Sequence, residues 1–228
     1  MSLLTDLRQL LLPRLCPVCG EAMMEDEDML CLRCAVALPR YHVGSITDNA
    51  LLRRVWDGVD AKSAFSLLAY NRCSPYCNLI HDIKYRGHSD LGVRLGRWAA
   101  EEAARLDFWQ DVDVLVPVPL TPWRRFRRGF NQAGKIAEGM SEVCGLPVAD
   151  LLRRAKHRGT QTLLNARQRA TNAEGVYRAV IPDCYRGKRL VIVDDVMTTG
   201  ATLRNCARAL LQADGQAQIS LFPLASGT

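Results

Sequence analysis

The sequence predicts an α/β protein: a doubly wound, mainly parallel sheet with a small N-terminal four-cysteine zinc-binding module. Three observations carry this reading. Apolar strand-like runs alternate with amphipathic helix-like segments through residues 51–228, the order that builds a parallel sheet with helices on both faces. The run Val191-Ile192-Val193 ends in two adjacent carboxylates, Asp194 and Asp195, and then in a hydroxyl-rich, Gly-containing turn before a helix-like segment, Leu203 to Ala213. Two C-x-x-C pairs lie in residues 1–50, ahead of all of this.

The elements follow in order. Leu3, Leu4, Leu7, Leu10 and Leu11 share one helical face, and Pro13 stops the pattern; packing against the main domain is the expected role. Cys16 and Cys19, then Cys31 and Cys34, form two knuckles separated by residues 20–30. Four thiolates from two knuckles make the tetrahedral cage that structural zinc prefers, with no position left for a substrate. One such pair alone would leave free or redox-active thiols as an equal reading. Glu21, Glu25, Asp26, Glu27 and Asp28 make the intervening loop acidic, hence solvated and a poor surface for DNA.

In the main domain, Ser63 to Tyr70 reads as a strand and Pro75 to Tyr85 as a helix closed by Arg86 and Gly87. Leu91, Leu95, Trp98, Glu102 and Leu106 trace an amphipathic helix whose face is apolar except at Glu102. Asp113 to Leu120 is a buried strand interrupted by Pro117 and Pro119. A basic loop follows, then a helix from Gly129 to Val143. Next come a strand near Val148 to Leu152, a second basic stretch, a helix near Asn165 to Asn172 and a short strand, Val176 to Val180. The acid-bearing strand, its helix and a last strand, Gln218 to Leu224, close the chain.

Composition bounds the function. With 48 % hydrophobic and 24 % charged residues the chain is a soluble globular protein. No apolar run approaches a membrane span, so membrane insertion is not expected. Met1 to Leu12 lacks a basic start and is interrupted by Asp6 and Arg8, unlike a secretory signal; cytoplasmic residence follows. Nine cysteines, an odd number, argue against a disulfide framework. Cys73, Cys77 and His81 recur every four residues, but eight residues of helix span about 12 Å, too far for one ion to bind the outer two; buried thiols are expected there. Cys144, Cys184 and Cys206 show no partner pattern, and oligomeric state leaves no mark in the sequence. Between Trp123 and Arg169 there are eleven Lys or Arg against three acids, an excess larger than the net charge of +6 for the whole chain. A polyanionic partner is implied: pyrophosphate, nucleic acid, or both.

The chemistry concentrates at residues 194–202. A buried strand delivers Asp194 and Asp195 to its C-terminal end, where open α/β sheets bind ligands. The turn then offers hydroxyls and backbone N–H groups at a helix N-terminus, a natural anion site. Carboxylates suit a diol and the turn suits a phosphate; a ribose 5-phosphate carries both. A receiver domain also has paired acids, but near its N-terminus and without this turn. A dinucleotide fold would need the G-x-G-x-x-G that is missing here. A purely structural strand end rarely carries two successive charges.

The segment Val191 to Thr202 closely resembles the signature of type I phosphoribosyltransferases, which bind phosphoribosyl pyrophosphate (PRPP). The resemblance implies that Asp194 and Asp195 take the ribose 2′- and 3′-hydroxyls. It makes Met197, Thr198, Thr199, Gly200, Ala201 and Thr202 the 5-phosphate loop. By the same resemblance the strand through Val118 leads into the pyrophosphate loop, with Arg128 on the diphosphate, and a hood carrying Lys156 and Arg158 closes over PRPP with its Mg²⁺. The Leu-rich start, the four-cysteine knuckle, Lys84-Tyr-Arg-Gly, Val116-Pro-Val-Pro-Leu, Arg127-Arg-Gly-Phe-Asn-Gln and Thr160-Gln161 extend the likeness over nearly the full chain. Together they resemble the ComF family of zinc-bearing, phosphoribosyltransferase-like proteins linked to DNA uptake. Two functions are implied. One is transfer of 5-phosphoribosyl to a nitrogen acceptor, with the acid pair, Lys156 and Arg158 as catalytic residues. The other is a catalytically silent PRPP-binding protein that contacts single-stranded DNA or a DNA-uptake helicase, with Trp123 and Phe126 as stacking aromatics.

Overall fold

In the computed structural model, which describes residues 13–56, 58–85, 89–154 and 176–227, one strand, β6 (Arg189–Met197), divides the hydrophobic interior in two. It lies between β7 (Gln218–Gly227) and β3 (Val114–Pro117), parallel to both. Its side chains alternate across the sheet as strand geometry requires. Val191 and Val193 enter one apolar cluster, with Leu115 and Phe222. Leu190 and Ile192 enter the other, with Val114, Val116, Ile219 and Leu221. Both faces are apolar, as in a parallel sheet covered by helices on both sides.

The sheet has five strands, in the order β1–β7–β6–β3 with β2 also on β7. The single strand expected over Ser63 to Tyr70 is two: β1 (Ala61–Ala64) and β2 (Leu68–Tyr70), pairing successive parts of β7. The backbone is irregular between them, where Phe65 and Leu67 still donate to Leu221 and Leu224 carbonyls. Asn49 caps α2 (Ala50–Val55) by accepting from the Leu51 and Leu52 N–H groups, and its Nδ2 donates to the Ala64 carbonyl, pinning the helix to the sheet edge.

The first face is covered by α4 (Ser89–Ala104) and α6 (Gln132–Cys144), which follow α1 (Leu32–Val36), α3 (Cys77–Tyr85) and α5 (Pro122–Arg128) in their places along the chain. Glycines bring these two backbones together. A Cβ on Gly96 would fall 2.2 Å from the Ile136 carbonyl oxygen, and one on Gly139 1.9 Å from that of Val93. Glu102, the one acid on the α4 face, accepts from Trp98 Nε1 and pairs with Arg105. The second face is covered by α2 and α7 (Ala201–Ala213), through Leu51, Val55, Leu203, Ala207 and Leu210.

The cysteine knuckle packs on the first face. Cys16, Val18, Leu30, Cys31, Cys34 and Leu38 join the cluster that holds Leu79, Ile83 and Leu95. Tyr76 donates to the Cys34 carbonyl at 2.9 Å, and Arg94 donates to the Asp28 carboxylate at 2.8 Å.

Several expectations change in detail. β4 (Leu152–Arg154) and β5 (Tyr177–Ala179) form a separate antiparallel pair, not strands of the main sheet; only Val148 bridges Leu115 there. Cys73 is exposed and Cys77 half-buried, because Leu79, Ile80 and Ile83 take the inner face of α3. The leucines before Pro13 and the helix expected near Asn165 to Asn172 lie outside the described residues. No helix among the described residues is long and apolar enough to cross a membrane.

Candidate functional site

The acids do not follow the end of their strand; they belong to it. β6 continues in register through Asp194, opposite Pro223, to Met197, opposite Ser226. The apolar run stops at Val193, so apolar character alone does not show how far past the acids the strand extends. The long partner β7 carries the pairing further. Pairing with β7 holds the backbone at Asp194 and again at Val196, on either side of Asp195. Asp194 is 9 % exposed and Asp195 half-buried. Asp194 Oδ1 accepts from the Asp195 N–H at 2.9 Å.

On one side of the pair stands the turn. Gly200 has φ +77, and a Cβ there would lie 3.0 Å from Met197 Cε and 3.1 Å from the Arg54 carbonyl oxygen. Glycine is required on both counts. It caps α7 without a side chain; the Ala201 N–H donates to Thr199 Oγ1 at 3.4 Å, and the helix start still favours an anion. Thr198, Thr199 and Thr202 are exposed around this helix start, and Ala201 is half-buried on it; Met197 is buried beneath.

On the other side stands the proline strand end. Val118 donates to the Val193 carbonyl at 2.9 Å, one residue before the acids. The stretch after it, expected as a basic loop, is the helix α5. Thr121 caps it by accepting from the Arg124 N–H, Pro122 opens it, and Gly129 at φ +81 closes it. Those start and stop signals stand in the sequence; the density of arginine obscured them. None of its residues is buried: Trp123 is 65 % and Phe126 90 % exposed, with the Arg127 guanidinium 5.5 Å from the Trp123 ring centre.

These pieces meet in one cleft of about 160 Å³. Val118, Arg128, Asp194, Asp195 and Thr202 line it, together with Arg124, Asn131, Gln132, Arg154 and Tyr177; Met197, Thr198, Thr199, Gly200 and Ala201 are not among the lining residues. Arg154 and Tyr177 come from the β4–β5 pair, the guanidinium 5.6 Å from the ring centre. Burial pushes the Tyr177 hydroxyl up to about 12, the Asp194 charge adding to it and Arg154 and Arg124 opposing, so it stays protonated at neutral pH. Lys156 and Arg158 lie outside the described residues.

The four knuckle cysteines place their sulfur atoms within 4.8 Å of one another, with Cys19 and Cys31 Sγ at 3.7 Å. A tetrahedral zinc with Zn–S bonds near 2.3 Å requires S···S separations of about 3.8 Å. The cage is thus positioned to bind a metal and fits structural zinc. Burial, with the neighbouring thiols, pushes Cys34 up to about 12, whereas at Cys16 burial is outweighed by backbone N–H groups, which bring it down to about 7; a bound cation favours the thiolate form of the set. Removing the metal lowers the melting temperature by about 10 °C or more. Scanning calorimetry on protein of verified metal content checks this; an unchanged transition contradicts it.

Comparison with known proteins agrees with this geometry. The phosphoribosyl transferase domain family matches residues 91–225, more than half the chain, and the chain belongs to that family. It is 30 % identical over 215 residues to the DNA utilization protein YhgH of Salmonella typhimurium, covering 92 % of this chain and 89 % of that one. It is 31 % identical over 156 residues to Competence protein F of Haemophilus influenzae, covering 66 % and 68 %. To Competence protein ComFC of Bacillus subtilis it is 28 % identical over 217 residues, covering 92 % and 77 %. With the four-cysteine cluster, these likenesses place the chain in the ComF group of the family.

Proposed function

We propose that the cleft binds PRPP and transfers its 5-phosphoribosyl group to a nitrogen acceptor. The observation that carries this reading is the meeting of Asp194, Asp195, Val118, Arg128 and Thr202 around one small cleft. Asp194 and Asp195 accept hydrogen bonds from the ribose hydroxyls. The turn from Met197 to Thr202 donates backbone N–H groups and threonine hydroxyls to the 5-phosphate. Arg128 and Arg124 face the diphosphate, where guanidinium groups bind bidentately. Lys156 and Arg158, in the segment of chain between β4 and β5, are the further basic groups proposed to meet the diphosphate.

Carboxylate oxygens beside a diphosphate suit a hard cation, and Mg²⁺ carried by PRPP oxygens would neutralise charge on the departing diphosphate. The chain's own part is electrostatic. As the C1–O bond breaks, positive character grows on the sugar beside the acid pair and negative charge grows beside the arginines. Nine cysteines, four of them gathered for a metal, suit a reducing cytoplasm.

The test is calorimetric titration with PRPP and Mg²⁺, followed by a pyrophosphate-release screen over nucleobases and amines. Magnesium-dependent binding with release on one acceptor is the expected result; absence of PRPP binding overturns the reading. A second reading has its own support: the exposed aromatic and arginine surface of α5, in a chain similar to proteins named for competence and DNA utilization. There the cleft would hold PRPP without turnover, and α5 would meet single-stranded DNA or a DNA-uptake helicase. Binding without release on any acceptor, together with DNA affinity falling steeply with salt, selects it.

A further inference from the structure

Two residues that line the cleft, Asn131 and Gln132, each carry a buried polar atom with no partner among the described residues. Asn131 Nδ2 donates to the Val118 carbonyl at 3.1 Å. A carbonyl only accepts, so the amide orientation is fixed and Oδ1 is left as an unpaired acceptor. Arg128 Nη1 donates to Gln132 Oε1 at 2.9 Å. A guanidinium only donates, so Gln132 Nε2 is fixed as a donor, and it too is unpaired. Gln132 is 1 % exposed. Orphaned groups of this kind are rare in folded proteins and call for a partner. Both residues stand at the start of α6, thirteen residues long, whose N-cap makes no side-chain bond to the first turn. The patch therefore combines helix-start N–H groups, one side-chain donor and one side-chain acceptor, with Arg124 and Arg128 in the same cleft.

Few ligands use all of these. A bare phosphate takes the donors but is repelled by the Asn131 oxygen. A neutral amide matches donor and acceptor but leaves the arginines without a role. A diphosphate carrying hydrated Mg²⁺ offers both kinds of group: phosphate oxygens that accept, and metal-bound water that donates. We propose that Gln132 Nε2 binds a diphosphate oxygen and Asn131 Oδ1 accepts from a water on its magnesium. The pair thereby selects the metal-loaded diphosphate over the free one. This rests on the PRPP reading and extends it to two residues and the atoms they use.

The test is calorimetry on the full chain with three probes: inorganic pyrophosphate with Mg²⁺, pyrophosphate with chelator, and ribose 5-phosphate. The wild type binds pyrophosphate more tightly with Mg²⁺. Gln132→Met weakens that binding by about tenfold or more, a charge-assisted hydrogen bond lost, and leaves ribose 5-phosphate affinity within about twofold. Asn131→Ala removes most of the Mg²⁺ enhancement. Gln132 also holds Arg128, so Arg128→Met and the double variant are needed. A direct contact makes the double variant bind magnesium pyrophosphate more weakly than Arg128→Met, by about fivefold or more. If Gln132 only positions Arg128, the double variant equals Arg128→Met, and the proposal falls. Should Gln132→Met not fold, Gln132→Glu keeps an acceptor for Arg128 and replaces the donor; unchanged pyrophosphate affinity in it likewise overturns the assignment. Ribose 5-phosphate bound normally with pyrophosphate affinity unaltered in the Asn131 and Gln132 variants, but weakened in Arg128→Met, sinks this proposal and leaves the PRPP reading standing. A wild type that binds neither probe removes both.

Discussion

Asp194→Asn with Asp195→Asn abolishes detectable PRPP binding and leaves the protein folded. Each carboxylate offers charge-assisted hydrogen bonds to a sugar hydroxyl, about 1.5–3 kcal/mol apiece. Losing both weakens binding by roughly 10² to 10⁴-fold. The fold tolerates the change for a structural reason. The strand is held by pairing with β7 at Asp194, Val196 and Met197, and an asparagine at 194 still supplies the oxygen that accepts from the 195 N–H. The checks are PRPP titration and a melting curve on the same preparation. A double variant that binds like wild type removes the site assignment and the transferase reading together.

Gly139→Ala destabilises the protein by about 3 kcal/mol or more, the range in which overpacking forces backbone movement. The added methyl would stand 1.9 Å from the Val93 carbonyl oxygen, inside any allowed contact. Relief requires α4 and α6 to separate, which opens the interior around Leu95, Ile136 and Met140. Gly96→Ala meets the Ile136 carbonyl from the other helix at 2.2 Å and has the same outcome. Gly215→Ala is the control: nothing lies within 4 Å of its Cβ position, so stability changes by no more than about 0.5 kcal/mol. Denaturant unfolding of the three variants measures the contrast. A Gly139 variant as stable as the Gly215 one would show that the two helices are not in contact as described.

The site was legible in the sequence where its chemistry is local. Asp194 and Asp195 are neighbours in the chain, and the turn follows within seven residues, so one strand-turn-helix brings them together. The cysteine pairs are legible for the same reason: each knuckle presents two sulfur atoms from four successive residues. What the sequence hid depends on contacts between distant segments. Asn131 and Gln132 read as ordinary helix-start residues; only the Val118 carbonyl and the Arg128 guanidinium, once folded against them, commit one end of each amide and strand the other. Tyr177 reaches the cleft because β5 pairs with β4 across a long connection, a pairing that periodicity does not report. The reach of β6 to Met197 likewise depends on the length of β7, which apolar runs alone understate. Gly96 and Gly139 lie far apart in the chain, and nothing in either local pattern shows that they face each other.

The shared interior of the cysteine knuckle and the α4–α6 face has a consequence for how the chain comes apart. Cys16, Cys31 and Cys34 stand in one apolar cluster with Leu95, Ala99 and Met140, so the two regions have no separate hearts to lose. Heating or denaturant should dismantle them in a single cooperative event. If the cysteines hold zinc, a cell that strips it would also loosen the scaffold beneath the cleft, and metal supply would condition the lifetime of the whole molecule.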